Sequence, residues 1–227
     1  MRISSHCSCI RQFACTVRRC KQLSILLLLL HTAVSACSQG TNTFDMLSPK
    51  LREFLDHNAS AAQLLDNVLS EAFTNRSLQL YYVYSPSQPL ACHYYTETNG
   101  VVIAIREDQQ ILDEFLCLVY ESLNSENEAD FQELFHRAEL GTISKEDFAH
   151  EILRVEFKSA KQAKTLISKL KLPKKETSKS YYYKRFIGCP DSFEEFLASI
   201  KKDSTNGQDA IKDYEMKYDL LRKHELQ

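Results

Sequence analysis

The chain has 227 residues, with 28 basic and 30 acidic side chains, 44% hydrophobic residues and five glycines. That length fits one domain or two small ones, and a net charge of −2 argues against nucleic acid as the main partner. The glycines stand singly at positions 40, 100, 141, 188 and 207. A glycine-rich phosphate loop is thereby excluded, because it needs glycines a few residues apart to bring backbone amides against phosphate.

Residues 1–36 hold five basic side chains and no acidic one, so the remainder carries 23 basic against 30 acidic residues. Arg18, Arg19 and Lys21 lead into the apolar run Leu23–Ala36, 14 residues long. A basic head, a short apolar stretch and small residues at its end form a secretory signal. The run is shorter than the roughly 20 residues that a membrane-spanning helix needs. At its end, Val34-Ser35-Ala36-Cys37 resembles the lipobox of bacterial lipoproteins. The resemblance implies that residues 1–36 are removed, that Cys37 receives acyl chains, and that 37–44 form a polar tether. It implies attachment to a membrane through those chains, each buried CH₂ contributing about 0.8 kcal/mol. The implied location is the cell envelope, facing periplasm or cell surface, and the neutral Ser38 favours the outer membrane. An ordinary cleaved signal and an uncleaved signal anchor are the alternatives for the same stretch.

Four of the eight cysteines (Cys7, Cys9, Cys15, Cys20) precede the apolar run, and Cys92, Cys117 and Cys189 follow Cys37. None of these three forms a CxxC, which leaves no zinc ribbon and no thioredoxin-type site. Cys117, within Phe115–Val119, reads as a small core residue. Cys92 and Cys189 are free to pair in an exported protein if the fold brings them together.

Residues 45–227 read as one helix-rich α+β domain. Ser48-Pro49 opens a helix through about His57, and Ser60 caps a second that carries Leu64, Leu65, Val68, Leu69, Ala72 and Phe73 at helical spacing. The runs Leu78–Tyr84, Leu90–Tyr95 and Val101–Ile105, separated by turn residues at 85–89 and 99–100, predict a small three-stranded antiparallel sheet. Gln109–Asn124 is apolar on nearly every side, the pattern of a helix buried all round. A shorter helix follows at Glu128–Ala138, and Ser144 with Asp147 starts a long one that ends near Leu170. Residues 171–180 read as a loop broken by Pro173, and two last helices cover about 191–202 and 208–225. Lys169, Lys171, Lys174, Lys175, Lys179, Lys184 and Arg185, with Tyr181–Tyr183, form a basic and aromatic stretch. It reads as a solvated loop, with contact to an anionic head group or polymer as the alternative.

Two carboxylates stand out. Glu121 lies one residue beyond the most apolar helical run, and Glu156 lies on a face made of Ile152, Ala160 and Ala163. Burying a carboxylate costs energy unless a partner or a metal compensates. A small sheet, a buried helix and a later helix that contributes a glutamate are similar to the gluzincin metallopeptidases, over roughly residues 78–170. In that family the buried helix carries HExxH, two zinc-binding histidines around a glutamate that activates water. Here the five residues are Tyr120-Glu121-Ser122-Leu123-Asn124, and Glu156 matches the third metal ligand. The resemblance implies a zincin-like fold with its metal site lost, because Tyr120 and Asn124 replace both histidines.

The sequence thus points to a lipid-anchored envelope protein. Its expected role is non-catalytic, binding or scaffolding an unidentified envelope protein or polymer, with no cofactor and no metal. The rival is a metal-dependent hydrolase with Glu121 as general base and Glu156 as the remnant ligand. Labelled palmitate fed to expressing bacteria should enter the wild-type chain and not Cys37→Ala. Equal labelling of both would remove the lipoprotein assignment.

Overall fold

A computed structural model describes residues 46–74, 77–83, 91–95, 100–106, 108–203 and 210–224. The signal, Cys37 and the tether lie outside the described residues, as do the turns at 84–90 and 96–99 and the side chains of Cys92 and His93.

The first helix, α1 (Pro49–Asp56), begins where Ser48 and Pro49 predict. Proline occupies the first turn, and the Ser48 hydroxyl accepts from the Leu51 N–H at 3.1 Å. The second, α2 (Ala59–Phe73), starts one residue before the expected Ser60 cap. The residue ahead of it, Asn58, donates its side-chain amide back to the Phe54 carbonyl at 2.7 Å. It thus closes the end of α1 instead of capping α2. Ala61, Leu64, Leu65, Val68, Leu69 and Ala72 form the buried stripe that holds α2 to the core.

Three strands follow: β1 (Ser77–Val83), β2 (Ala91–Tyr95) and β3 (Gly100–Arg106). The sheet order is β1-β3-β2. β2 and β3 pair antiparallel, with Cys92 opposite Ala104, whereas β1 and β3 pair parallel, with Leu78 opposite Val101 and Leu80 opposite Ile103. The expected all-antiparallel sheet is therefore corrected to a mixed one. A short connection forces β2 and β3 to run in opposite directions. The last strand then returns between the first two, alongside β1. Alternating residues identify strands but do not encode their order. On β3, Val101, Ile103 and Ile105 are buried against the helices, and the residues between them are half-buried.

The remaining helices build outward from α3 (Ile111–Glu126). From Leu112 to Ser125 every residue except Tyr120 is buried. Next, α4 (Glu128–Leu140) ends on Gly141, whose φ of 69° is the left-handed conformation that closes a helix and suits glycine. Ser144 caps α5 (Lys145–Ile167) as expected, its hydroxyl accepting from the Asp147 N–H at 3.1 Å. At 23 residues, α5 is about 34 Å long. The region expected to be a loop instead contains α6 (Lys174–Lys179), and a further helix that sequence reasoning missed, α7 (Tyr181–Ile187), follows it. The chain closes with α8 (Phe193–Asp203) and α9 (Ala210–His224).

Two apolar cores result. The first joins α1, α2, β3, α3 and α7 with Ala163 and Ile167 at the end of α5. The second joins α4, α8 and α9 with Phe148–Ala160 of α5. Tyr120 packs against both. Leu116 and Leu118 are fully buried in the first core. Cutting either back to alanine should cost roughly 2–5 kcal/mol, read as a fall in melting temperature. Wild-type melting of both variants would show that α3 is not the centre of the fold.

Candidate functional site

Because α3 is buried, its polar residues meet protein groups and not water. Two clusters result, one on its first turn and one at its middle.

On the first turn, Asp113 and Glu114 face different elements. Asp113 caps α7 from a distance: its carboxylate accepts from the Tyr182 N–H at 3.0 Å, the Tyr181 N–H at 3.4 Å and the Ser180 hydroxyl. The exposed amides of that helix start are thereby satisfied by a charge placed favourably for the helix dipole. Glu114 reaches Ser48 and Tyr82. Burial raises its pKa, while hydrogen bonds from Ser48 and Tyr82 and the charge of Lys50 pull it back. The Ser48 N–H donates to the Tyr82 hydroxyl at 2.8 Å. Burial, followed by the Glu114 charge, pushes that hydroxyl well above the ordinary tyrosine range.

At the middle of α3 lie the residues singled out in the sequence. The Tyr120 ring packs on Phe186 of α7 with centroids 5.2 Å apart. Its pKa is raised first by burial and then by the Glu156 carboxylate. Arg185 and a hydrogen bond with Asn124 lower it, and Glu121 raises it further. These five side chains thus share one neighbourhood, where α3, α5 and α7 meet. Glu121 is 7% exposed. Its charge also raises the pKa values of Cys117 and Tyr182, in both cases after burial as the main cause. From α9, the Tyr214 hydroxyl donates to a Glu156 carboxylate oxygen. Among the described residues, Asn124 Oδ1 and the Ser122 hydroxyl are buried without a hydrogen-bond partner, as is Glu114 Oε1 on the first turn.

Glu121 and Glu156 both act on the Tyr120 hydroxyl, opposed by the positive charge of Arg185. Two cations near Glu156 in sequence pair with other carboxylates, Arg154 with Glu151 and Lys158 with Asp130, each at 3.4 Å. None of His57, His136 and His150 is among the groups that act on the cluster. Among the described residues, no group of three or more histidines, cysteines, aspartates or glutamates is placed to hold a metal ion. Cys117 and Cys189 are buried free thiols; the side chain of Cys92, whose pairing with Cys189 the sequence leaves open, lies outside the described residues. Sequence reasoning missed Tyr214 and Arg185. The first lies 58 positions from its partner, and the second is hidden in the lysine-rich stretch.

A separate open groove of about 620 Å³ runs between α4 and α5, floored by Leu134, Val155, Phe157 and Phe193. Its cations are engaged: Arg154 lies 4.2 Å from the Phe193 ring centroid, and Lys161 donates to the Asp191 carbonyl at 3.1 Å. No residue of the carboxylate cluster lines it.

The Tyr214–Glu156 bond ties α9 to this cluster through a charged acceptor. Tyr214→Phe should destabilise the protein by roughly 1–3 kcal/mol, the usual cost of leaving a desolvated polar group short of a partner. Pairing it with Glu156→Gln should recover part of that loss, because the neutral amide costs less to leave unpaired. Unchanged melting of Tyr214→Phe would mean that the bond contributes nothing. No family model, curated protein sequence or solved structure matches the chain.

Proposed function

We propose that this chain is a lipid-anchored envelope protein whose folded domain binds or scaffolds and does not catalyse. The observation that carries the second half of the reading is how the carboxylates are used. Glu156 accepts the Tyr214 hydroxyl, and Tyr120 packs on Phe186. Arg185 and Glu156 act on the Tyr120 hydroxyl in opposite directions. The residues that would stand at a peptidase centre are thus joined across a helix interface, as structural groups are. Tyrosine ligates zinc only when deprotonated, and burial, Glu156 and Glu121 make that harder for Tyr120, against the opposing effects of Arg185 and Asn124. Asparagine offers a neutral carbonyl, a weaker ligand for this ion than imidazole. The anchor half of the reading is supported by Val34-Ser35-Ala36-Cys37 following a basic and apolar leader. No described helix is long and apolar enough to cross a membrane.

The test is the metal content of the full chain purified without chelator. Zinc well below one equivalent and no cleavage of general peptide substrates are expected. Stoichiometric zinc, lost together with activity in Glu156→Gln, would establish the hydrolase with Glu121 as its base. The double change Tyr120→His with Asn124→His should raise zinc affinity if the gluzincin resemblance is real. No gain would remove that resemblance and leave the anchor assignment untouched.

A further inference from the structure

The sharpest charge asymmetry of the folded chain lies in one short segment. Residues 169–185 carry seven basic side chains and one acidic, Glu176, while the rest of the chain from Cys37 onward carries 16 basic against 29 acidic. Lys169, Lys171, Lys174, Lys175, Lys179 and Lys184 are all exposed. Among the described residues none of the six forms an ion pair. Six like charges this close repel one another, and α6, which bears three of them, buries no residue. Their backing is nevertheless firm. Leu170, Leu172, Tyr181, Tyr183 and Ile187 pack against the first core, and Asp113 fixes the turn between α6 and α7 through Ser180 and Tyr182.

Position adds to charge. The neighbours Asp113 and Glu114 hold two distant parts of the chain at one end of α3. Asp113 holds the turn that follows α6, and Glu114 holds Ser48 at the start of α1. Ser48 is 11 positions after Cys37, a span of at most about 40 Å. The tether thus enters at the same end of α3 as the turn that follows α6, the helix bearing Lys174, Lys175 and Lys179.

We infer that the segment Lys169–Lys184 is a docking face for anionic phospholipid head groups, seating the domain on the membrane that bears its anchor. The inference takes the presence of a membrane from the envelope reading, whereas the charge and placement of the segment stand without it. Each lysine near an anionic surface strengthens attachment by roughly fivefold. The acidic remainder of the domain is repelled by the same surface, so one orientation is selected. The aromatic and aliphatic side chains are already used as backing, which leaves binding electrostatic and sensitive to salt.

The test uses the full chain reconstituted with vesicles of phosphatidylcholine, with and without phosphatidylglycerol. Flotation with pure phosphatidylcholine reports the anchor, and lysine footprinting by an amine-reactive label reports the segment. On anionic vesicles each of the six lysines should label roughly fivefold more slowly than on neutral ones, the factor that about 1 kcal/mol of surface attraction gives. Molar salt should abolish the difference, and Lys145 and Lys158 should label alike throughout. The triple variant Lys171→Gln, Lys174→Gln, Lys175→Gln, altered only at exposed positions, should lose the protection at Lys169, Lys179 and Lys184. Equal labelling on both vesicle types overturns the inference. Flotation only with anionic vesicles supports the docking face and sinks the anchor, and flotation with neither sinks both. Protection by soluble polyphosphate without protection by the vesicles would assign the segment to a polymer and overturn the membrane docking.

Discussion

A helix buried on every side forces its polar residues to find partners inside the protein, because an unpaired polar group cut off from water is costly. In α3 this condition organises the rest of the molecule. Its apolar residues draw β3, α1, α2 and α7 into one core. Its carboxylates decide how those elements are joined. Asp113 fixes the start of α7, Glu114 gathers Ser48 and Tyr82, and Glu121 lies beside Tyr120 and Tyr182.

The carboxylate cluster lies where the two cores meet, and Tyr120 contacts both. Tyrosine suits that seam, since its ring adds apolar area while its hydroxyl can meet Asn124 and tolerate the nearby charges. Glu156 and Tyr214 continue the polar line toward α9. Such networks stabilise when every member is satisfied and become liabilities when one is not. The unpaired Asn124 Oδ1 and Ser122 hydroxyl mark where this one is incomplete.

Much of the helical framework is legible in the sequence, because burial imposes a period on residues such as Leu64, Leu65, Val68 and Leu69, and caps such as Ser48 and Ser144 act within three positions. Sheet order is not legible. Nothing in Val101–Ile105 says that this strand enters between the two before it. The short helices α6 and α7 were hidden for a different reason. Lysine and serine dominate that stretch locally, while the group that stabilises the start of α7 is Asp113, 69 positions from Tyr182. The site divides in the same way. Glu121 and Glu156 are conspicuous as charges on apolar faces, but the residues that answer them come from other helices and leave no local signal.

The two described thiols have a practical value that follows from their placement. Cys117 belongs to the first core and Cys189 to the second, and both are buried. Burial holds both in the unreactive protonated form. Each can meet a reagent only when its own part of the structure opens. Among the described residues each core therefore carries one native clock, and the relative rates of alkylation at the two positions would time whether the halves open together or in turn. Because α5 runs through both cores and Tyr120 of α3 packs against both, simultaneous opening would show that the two halves behave as one cooperative unit.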